Sequence, residues 1–107
     1  MQTQEWIEAC ETEDIEAEDV IRFDFGNRTF AIYRSAKGEF FATDGFCTHE
    51  NIHLSDGLVM GEIIECPKHN GRFNYMTGEP KKRPACKHLM TYPVKVDDGK
   101  VWIKLEV

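Results

Sequence analysis

Apolar and polar positions alternate in short bursts along this chain, and turn-forming residues separate the bursts. From Val20 to Phe25, Val20, Arg22 and Asp24 alternate with Ile21, Phe23 and Phe25. That period of two marks a strand. Gly26-Asn27 predicts a tight turn, and Thr29 to Tyr33 predicts the returning partner strand. Residues 5 to 10 alternate in part and predict an earlier strand. Ala36-Lys37-Gly38 predicts the next turn, with a strand over Glu39 to Thr43. Further on, Leu58 to Met60 and Ile63 to Glu65 flank a Gly61-Glu62 turn, and Phe73 and Tyr75 resume the alternation before a turn over Met76 to Glu79. Leu89 to Val96 and Lys100 to Leu105 predict a closing hairpin, turned by Asp97-Asp98-Gly99. No stretch carries a helical period of ordinary length. Short strands with regular turn signals predict an all-β sandwich or small barrel.

Composition narrows the class. The 107 residues suit a single domain, 1-107, and a 41% hydrophobic content suits a globular chain. No apolar run approaches the length of a membrane span, and Met1 to Trp6 lacks the basic and apolar regions of a signal peptide. The expectation is a cytoplasmic monomer with no membrane partner. A net charge of −6 argues against nucleic acid as a partner. The charge is uneven. Glu11, Glu13, Asp14, Glu16, Glu18 and Asp19 form an acidic segment, read as a solvated loop with Ile15 tucked inward as its anchor. Lys68, Arg72, Lys81, Lys82, Arg83 and Lys87 form a later basic band, and Pro80 to Pro84 reads as a basic, proline-bracketed loop.

Candidate chemistry concentrates in one stretch. It reads Cys47-Thr48-His49, then sixteen residues, then Cys66-Pro67-Lys68-His69. Each pair mixes a thiolate with an imidazole. A [2Fe–2S] centre can use them unequally, with Cys47 and Cys66 on one iron and His49 and His69 on the other. A neutral imidazole repels an added electron less than a thiolate does, which raises the reduction potential. Pro67 stiffens the second loop, and Gly71 allows close backbone approach or a sharp turn. Zinc also takes two cysteines and two histidines, but its usual order is a cysteine pair followed by a histidine pair. His53, four residues after His49, reads as a loop or surface histidine, because the two pairs already complete the site. Leu54 reads as an apolar cover. Cys10 and Cys86 read as small buried residues or spare thiols, and a reducing compartment disfavours a disulfide between them.

Cys47-Thr48-His49, Cys66-Pro67-Lys68-His69 and the following Gly71-Arg72-Phe73 resemble the signature of Rieske iron–sulfur proteins. The length is similar to that of the small Rieske-type ferredoxins of multicomponent bacterial oxygenases. The resemblance implies a fold of small stacked antiparallel sheets. Its cluster-binding subdomain, about residues 44-75, would carry two ligand loops, with a third proline loop around Pro84-Ala85 covering the cluster. It implies one [2Fe–2S] cluster per chain, held by Cys47, His49, Cys66 and His69. It also implies two partners: a ferredoxin reductase that draws on NADH or NADPH through a flavin, and a terminal oxygenase. The chain would be an electron carrier and not an enzyme. The alternative is a subunit held tightly in another redox enzyme, such as a nitrite reductase.

Departures from the wider family carry their own expectations. High-potential relatives place cysteines in both loops, and a serine and a tyrosine after the second histidine. Here Glu50, Asn51 and Lys68 stand in the loops, and Gly71 and Phe73 stand where the hydroxyl donors would be. Fewer donors stabilise the reduced cluster less. The expected potential is therefore roughly −150 mV, the low end for this cluster type. Outward-facing histidines should also make the potential fall with pH once their rings deprotonate in the oxidised form.

Overall fold

The computed structural model describes residues 3–48, 51–68, 70–83, 85 and 87–107. Its middle layer is explained by one strand, β3 (Arg28–Arg34), in which Phe30, Ala31, Ile32 and Tyr33 are all buried. Successive side chains of a strand point to opposite faces, so four consecutive buried residues require cover on both sides. Phe30 and Ile32 enter one core cluster with Ile15, Ala42, Val101, Ile103 and Leu105. Ala31 and Tyr33 enter a second with Cys47, Leu54, Ile64, Cys66, Phe73 and Tyr75.

Around β3 the described strands form three antiparallel sheets. The middle sheet has the order β2 (Asp19–Phe25), β3, β4 (Phe40–Asp44), β9 (Thr91–Tyr92). One outer sheet joins β1 (Gln4–Glu11) to β11 (Lys100–Glu106) and β10 (Val94–Asp97). The other runs β5 (Leu58–Met60), β6 (Ile63–Glu65), β7 (Arg72–Asn74), β8 (Pro80–Lys82). This is the expected all-β class. Among the described residues the helical content is two 3₁₀ turns, Thr12–Asp14 and Leu54–Asp56. Among the described residues no helix is long and apolar enough to cross a membrane.

The turn signals act where expected. Gly26 and Gly61 take φ of 62° and 60° at the first central position of two-residue hairpins, the place where a type II′ turn favours glycine. Asp98 and Gly99 both have positive φ between paired Asp97 and Lys100, as a type I′ turn requires. Ile15 is 1% exposed and anchors the acidic segment. Arg34 Nη1 donates to the carbonyls of Thr12 and Ile15 on the same segment. The segment is not wholly solvated, however. Glu18, at φ 56°, accepts the Gly61 N–H at 2.7 Å. Tyr75 Oη donates to the Gly61 carbonyl at 2.6 Å, and its ring stacks on Tyr33 with centroids 4.6 Å apart. The outer sheet that carries the ligand loops is thereby bolted to the middle sheet.

Two expectations need correction. The Pro80–Pro84 stretch is not simply a loop. Residues Pro80–Lys82 form β8, with Arg72 paired to Lys82 and Phe73 to Pro80. Proline is tolerated there because β8 is an edge strand. The predicted Leu89–Val96 strand is also divided. Thr91 and Tyr92 pair with β4, whereas Val94–Asp97 pair with β11. Pro93 lies at the break, where its missing N–H cannot extend a ladder, and its carbonyl accepts the Lys104 N–H.

Candidate functional site

The chain leaves the middle sheet after Asp44 and returns to it at Thr91. The Asp44 N–H donates to the Met90 carbonyl at 2.9 Å, so the two ends of this excursion touch. It takes in residues 45 to 90.

The first ligand loop is zipped at its base. Gly45 N–H donates to Thr29 O, Cys47 N–H to Ile52 O at 3.0 Å, and Leu54 N–H to Gly45 O at 2.7 Å. Phe46 and His53 form a bridge across it. The second loop closes through Cys66 N–H donating to Gly71 O at 2.7 Å. Asn70 supplies its left-handed turn with φ 56°, a conformation asparagine accepts more readily than most residues. Gly71 itself has a buried place below the loop. Next to the second loop, Glu65 and Arg72 face each other across β6 and β7 and form an ion pair at 2.8 Å.

Cys47 and Cys66 are 4% and 1% exposed and belong to one packed cluster with Leu54, Ile64, Phe73, Tyr75, Ala85 and Leu89. Leu54 is fully buried, as its expected covering role requires. His49 and His69 lie outside the described residues, as do Pro84 and Cys86. Their neighbours are informative. Ala85 is buried, and its N–H donates to Lys82 O. Thr48 Oγ1 donates to Lys87 O at 3.0 Å, joining the first ligand loop to the segment that follows Pro84. The thiol pair fits an iron–sulfur centre. Two soft ligands stand together at the bases of two closed loops, in apolar surroundings that exclude water.

Two features near the site were not visible in the sequence. The first is His53, which is buried and not a surface histidine. Its Nδ1 accepts the Ser55 N–H at 3.1 Å, capping the Leu54–Asp56 turn, and its Nε2 lies 2.8 Å from Thr29 Oγ1. Burial lowers its pKa, helped by the nearby positive charge of Arg22. The second is Tyr92, whose hydroxyl donates to Asp44 Oδ1 and accepts from Arg28 Nη2 at 3.0 Å. Burial, together with the Asp44 carboxylate, pushes the Tyr92 phenol up to about 12. Both residues draw partners from distant strands, and no local pattern announces such partners. Cys10, half-buried and packed at the other core, stays remote from the site, and burial raises its thiol to about 11.

Comparison with known proteins agrees with this construction. Residues 5–93 match the Rieske [2Fe-2S] domain. The chain is 41% identical over 104 residues to the ferredoxin component of the naphthalene 1,2-dioxygenase/salicylate 5-hydroxylase systems of a Ralstonia species, covering 97% of this chain and 99% of that protein. In structure it is similar to the Sphingomonas yanoikuyae B1 ferredoxin, with a TM-score of 0.88, 35% identity and coverage of 94% and 99% of the two chains. It is also similar to a chain in the complex of reduced oxygenase and oxidized ferredoxin of carbazole 1,9a-dioxygenase, with a TM-score of 0.86, 34% identity and coverage of 92% and 91%. With its paired cysteines at the bases of two closed loops and these relatives along nearly its whole length, the chain belongs to the Rieske [2Fe–2S] family, as an electron-transferring member of the ferredoxin type that carries one such cluster.

Proposed function

We propose that this protein is a one-electron carrier that takes electrons from an NAD(P)H-dependent flavin reductase and delivers them to a terminal oxygenase. Cys47 and Cys66 would hold one iron of the cluster and His49 and His69 the other. The bound cluster supplies the redox chemistry. The observation that carries the reading is the burial of Cys47 and Cys66 in one packed cluster at the bases of two zipped loops. Apolar cover from Leu54, Phe73 and Ala85 keeps water from the thiolate side. Buried Ala85 belongs to the same cluster, and the Thr48–Lys87 bond ties the segment after it to the first loop.

The partner-facing surface is basic. Lys68, Lys81, Lys82 and Arg83 are exposed beside the second loop, with Lys81 paired to Glu79 at 3.2 Å. They would steer the loops toward acidic rims on the reductase and the oxygenase, an effect that speeds association and weakens with salt. Phe46, 40% exposed and adjacent to Cys47, would add an apolar contact on the first loop. The carrier works as a single-domain cytoplasmic monomer.

The test is spectroscopic. The purified protein should be red-brown, contain inorganic sulfide, and give an electron spin resonance signal on reduction. Substitution of Cys47, His49, Cys66 or His69 by alanine should abolish that signal. A colourless protein holding one zinc ion, or an unchanged spectrum after any of the four substitutions, would overturn the ligand assignment.

A further inference from the structure

We propose that His53 is the positioning residue of the first ligand loop: a neutral imidazole that ties the loop base to β2 and β3, so that protonating it opens the loop and loosens the cluster. The inference rests on the ligand set proposed above and concerns a residue outside it.

The hydrogen bonds fix the ring's state. Nδ1 accepts the Ser55 N–H, so it carries no proton. The remaining proton is on Nε2, 2.8 Å from Thr29 Oγ1. Thr29 has one hydroxyl hydrogen, and it points to Asp24 Oδ1 at 2.6 Å, because a carboxylate only accepts. Thr29 therefore accepts from His53. Asp24 is held in turn by Arg22 Nε at 3.0 Å. The chain runs in one direction, from Ser55 N–H through His53 and Thr29 to an exposed carboxylate, and every member is satisfied. Thr29 also accepts the Gly45 N–H on its carbonyl, so one residue of β3 grips both ends of the loop base.

The fit leaves no slack. A Cβ at Gly45 would come within 2.5 Å of His53 Nε2 and 3.0 Å of Thr29. Phe46 packs edge-on against the ring at 5.6 Å between centroids. A second proton on the ring would have to go on Nδ1, where it would confront the Ser55 N–H. The cap of the Leu54–Asp56 turn would be lost, and with it the Leu54 side of the zip that holds Cys47. Among the described residues, the charges facing the ring are Arg22 and Asp24 on β2 and Asp56 on the turn. Burial and Arg22 oppose protonation, and the two carboxylates favour it more weakly. The hydrogen bonds from Thr29 and then Arg22 lower the Asp24 pKa, so that end of the chain remains an acceptor.

Linkage gives the sign. A histidine depressed in the fold is neutral there and protonates on opening, so the closed loop is favoured above the ordinary histidine value of about 6.5 and weakened as pH falls below it. The test measures the rate at which the holoprotein loses its visible absorption to a chelator between pH 8 and pH 5. His53→Asn keeps an oxygen where Nδ1 accepts from Ser55 but cannot titrate. Ligand protonation accelerates loss in both proteins, so the informative quantity is the ratio of wild-type to variant rate. It should climb several-fold as pH falls, bounded by about tenfold per pH unit for one proton. A ratio that stays flat overturns the proposal. Thr29→Val and Thr29→Ser provide a second check that does not depend on the His53 variant folding. The valine protein should release its cluster faster at pH 8, and the serine protein should behave as wild type. Equal rates for the two would also overturn it. A wild-type protein with no red-brown absorption would overturn the ligand assignment instead.

Discussion

Gly57 sets the turn that follows the first ligand loop against the backbone of Glu65, the residue before Cys66, and replacing it with alanine isolates the energetic weight of that contact. Its φ of −88° and ψ of −168° are open to any residue, so no backbone penalty is involved. Space is the whole cost. An added Cβ would lie closer to the Glu65 carbonyl oxygen than the 3.0 Å that real Cβ atoms keep, and would also meet Leu54 O at 3.1 Å and the Glu65 carbonyl carbon at 3.3 Å. Backbone atoms cannot rotate away as a side chain can. Relief needs a shift of about 1 Å between the end of the first loop and the residue before Cys66, since carbon contacts settle near 3.5–4.0 Å. Overpacking of this kind costs about 1–3 kcal/mol. At a urea slope of about 2 kcal/mol per M, a 2 kcal/mol loss lowers the midpoint by about 1 M. Gly61→Ala is the contrasting control. There φ is +60° and nothing lies within 4 Å of the added Cβ, so the cost is conformational alone, about 1–3 kcal/mol for a side chain forced into a sparsely populated backbone region. Urea titrations followed by cluster absorption and by far-ultraviolet circular dichroism distinguish the two. Gly57→Ala should lose colour at lower urea than it loses secondary structure and should be purified with less iron per chain. Gly61→Ala should lose both signals together. A Gly57→Ala protein with full iron and a wild-type midpoint would refute the argument.

Three further outcomes follow from the same geometry. Tyr92→Phe should be less stable than wild type at neutral pH, because Asp44 loses its donor. That gap should shrink from about pH 10 to about pH 12, since a phenol raised in the fold loses its stabilising contribution as pH rises through its folded value; a constant gap in thermal melts would count against it. Reversing charge with Lys81→Glu and Lys82→Glu should slow reduction by the proposed flavin reductase at low salt and remove most of its ionic-strength dependence. Stopped-flow rates unchanged by either substitution or salt would discard the steering surface. Gly71 and Phe73 offer no side-chain donor, so redox titration should place the potential at roughly −150 mV, falling at alkaline pH. A positive value, or one indifferent to alkali, would be inconsistent with that account.

The legible parts of the chain were those decided locally. Period-two alternation marked β2 and β3, and the glycine-bearing turns at Gly26-Asn27, Gly61-Glu62 and Asp98-Gly99 fixed three hairpins. Cys47 and Cys66, paired on sequence grounds, are both buried in one core cluster. What escaped depended on distant partners. Tyr92 looked like part of a hairpin with the C-terminal strand, but β4 claimed it, while Pro93 released only its successors to β11. Pro80 looked like a loop residue because its strand exists only by pairing with β7. His53 looked like a surface group. Its burial depends on Thr29, twenty-four positions away, and on the missing side chain at Gly45.

The meeting of Asp44 and Met90 has an architectural consequence. The chain departs and re-enters through one doorway, with Thr43 and Thr91 as its posts. The two buried cysteines and most of their apolar cover lie between those posts, while Thr29, Tyr33 and Glu18 of the surrounding chain grip the inserted segment at His53, Tyr75 and Gly61. Exchanging residues 45–90 for the corresponding segment of a related carrier that keeps those grips should transplant the donor's redox character onto the surrounding chain.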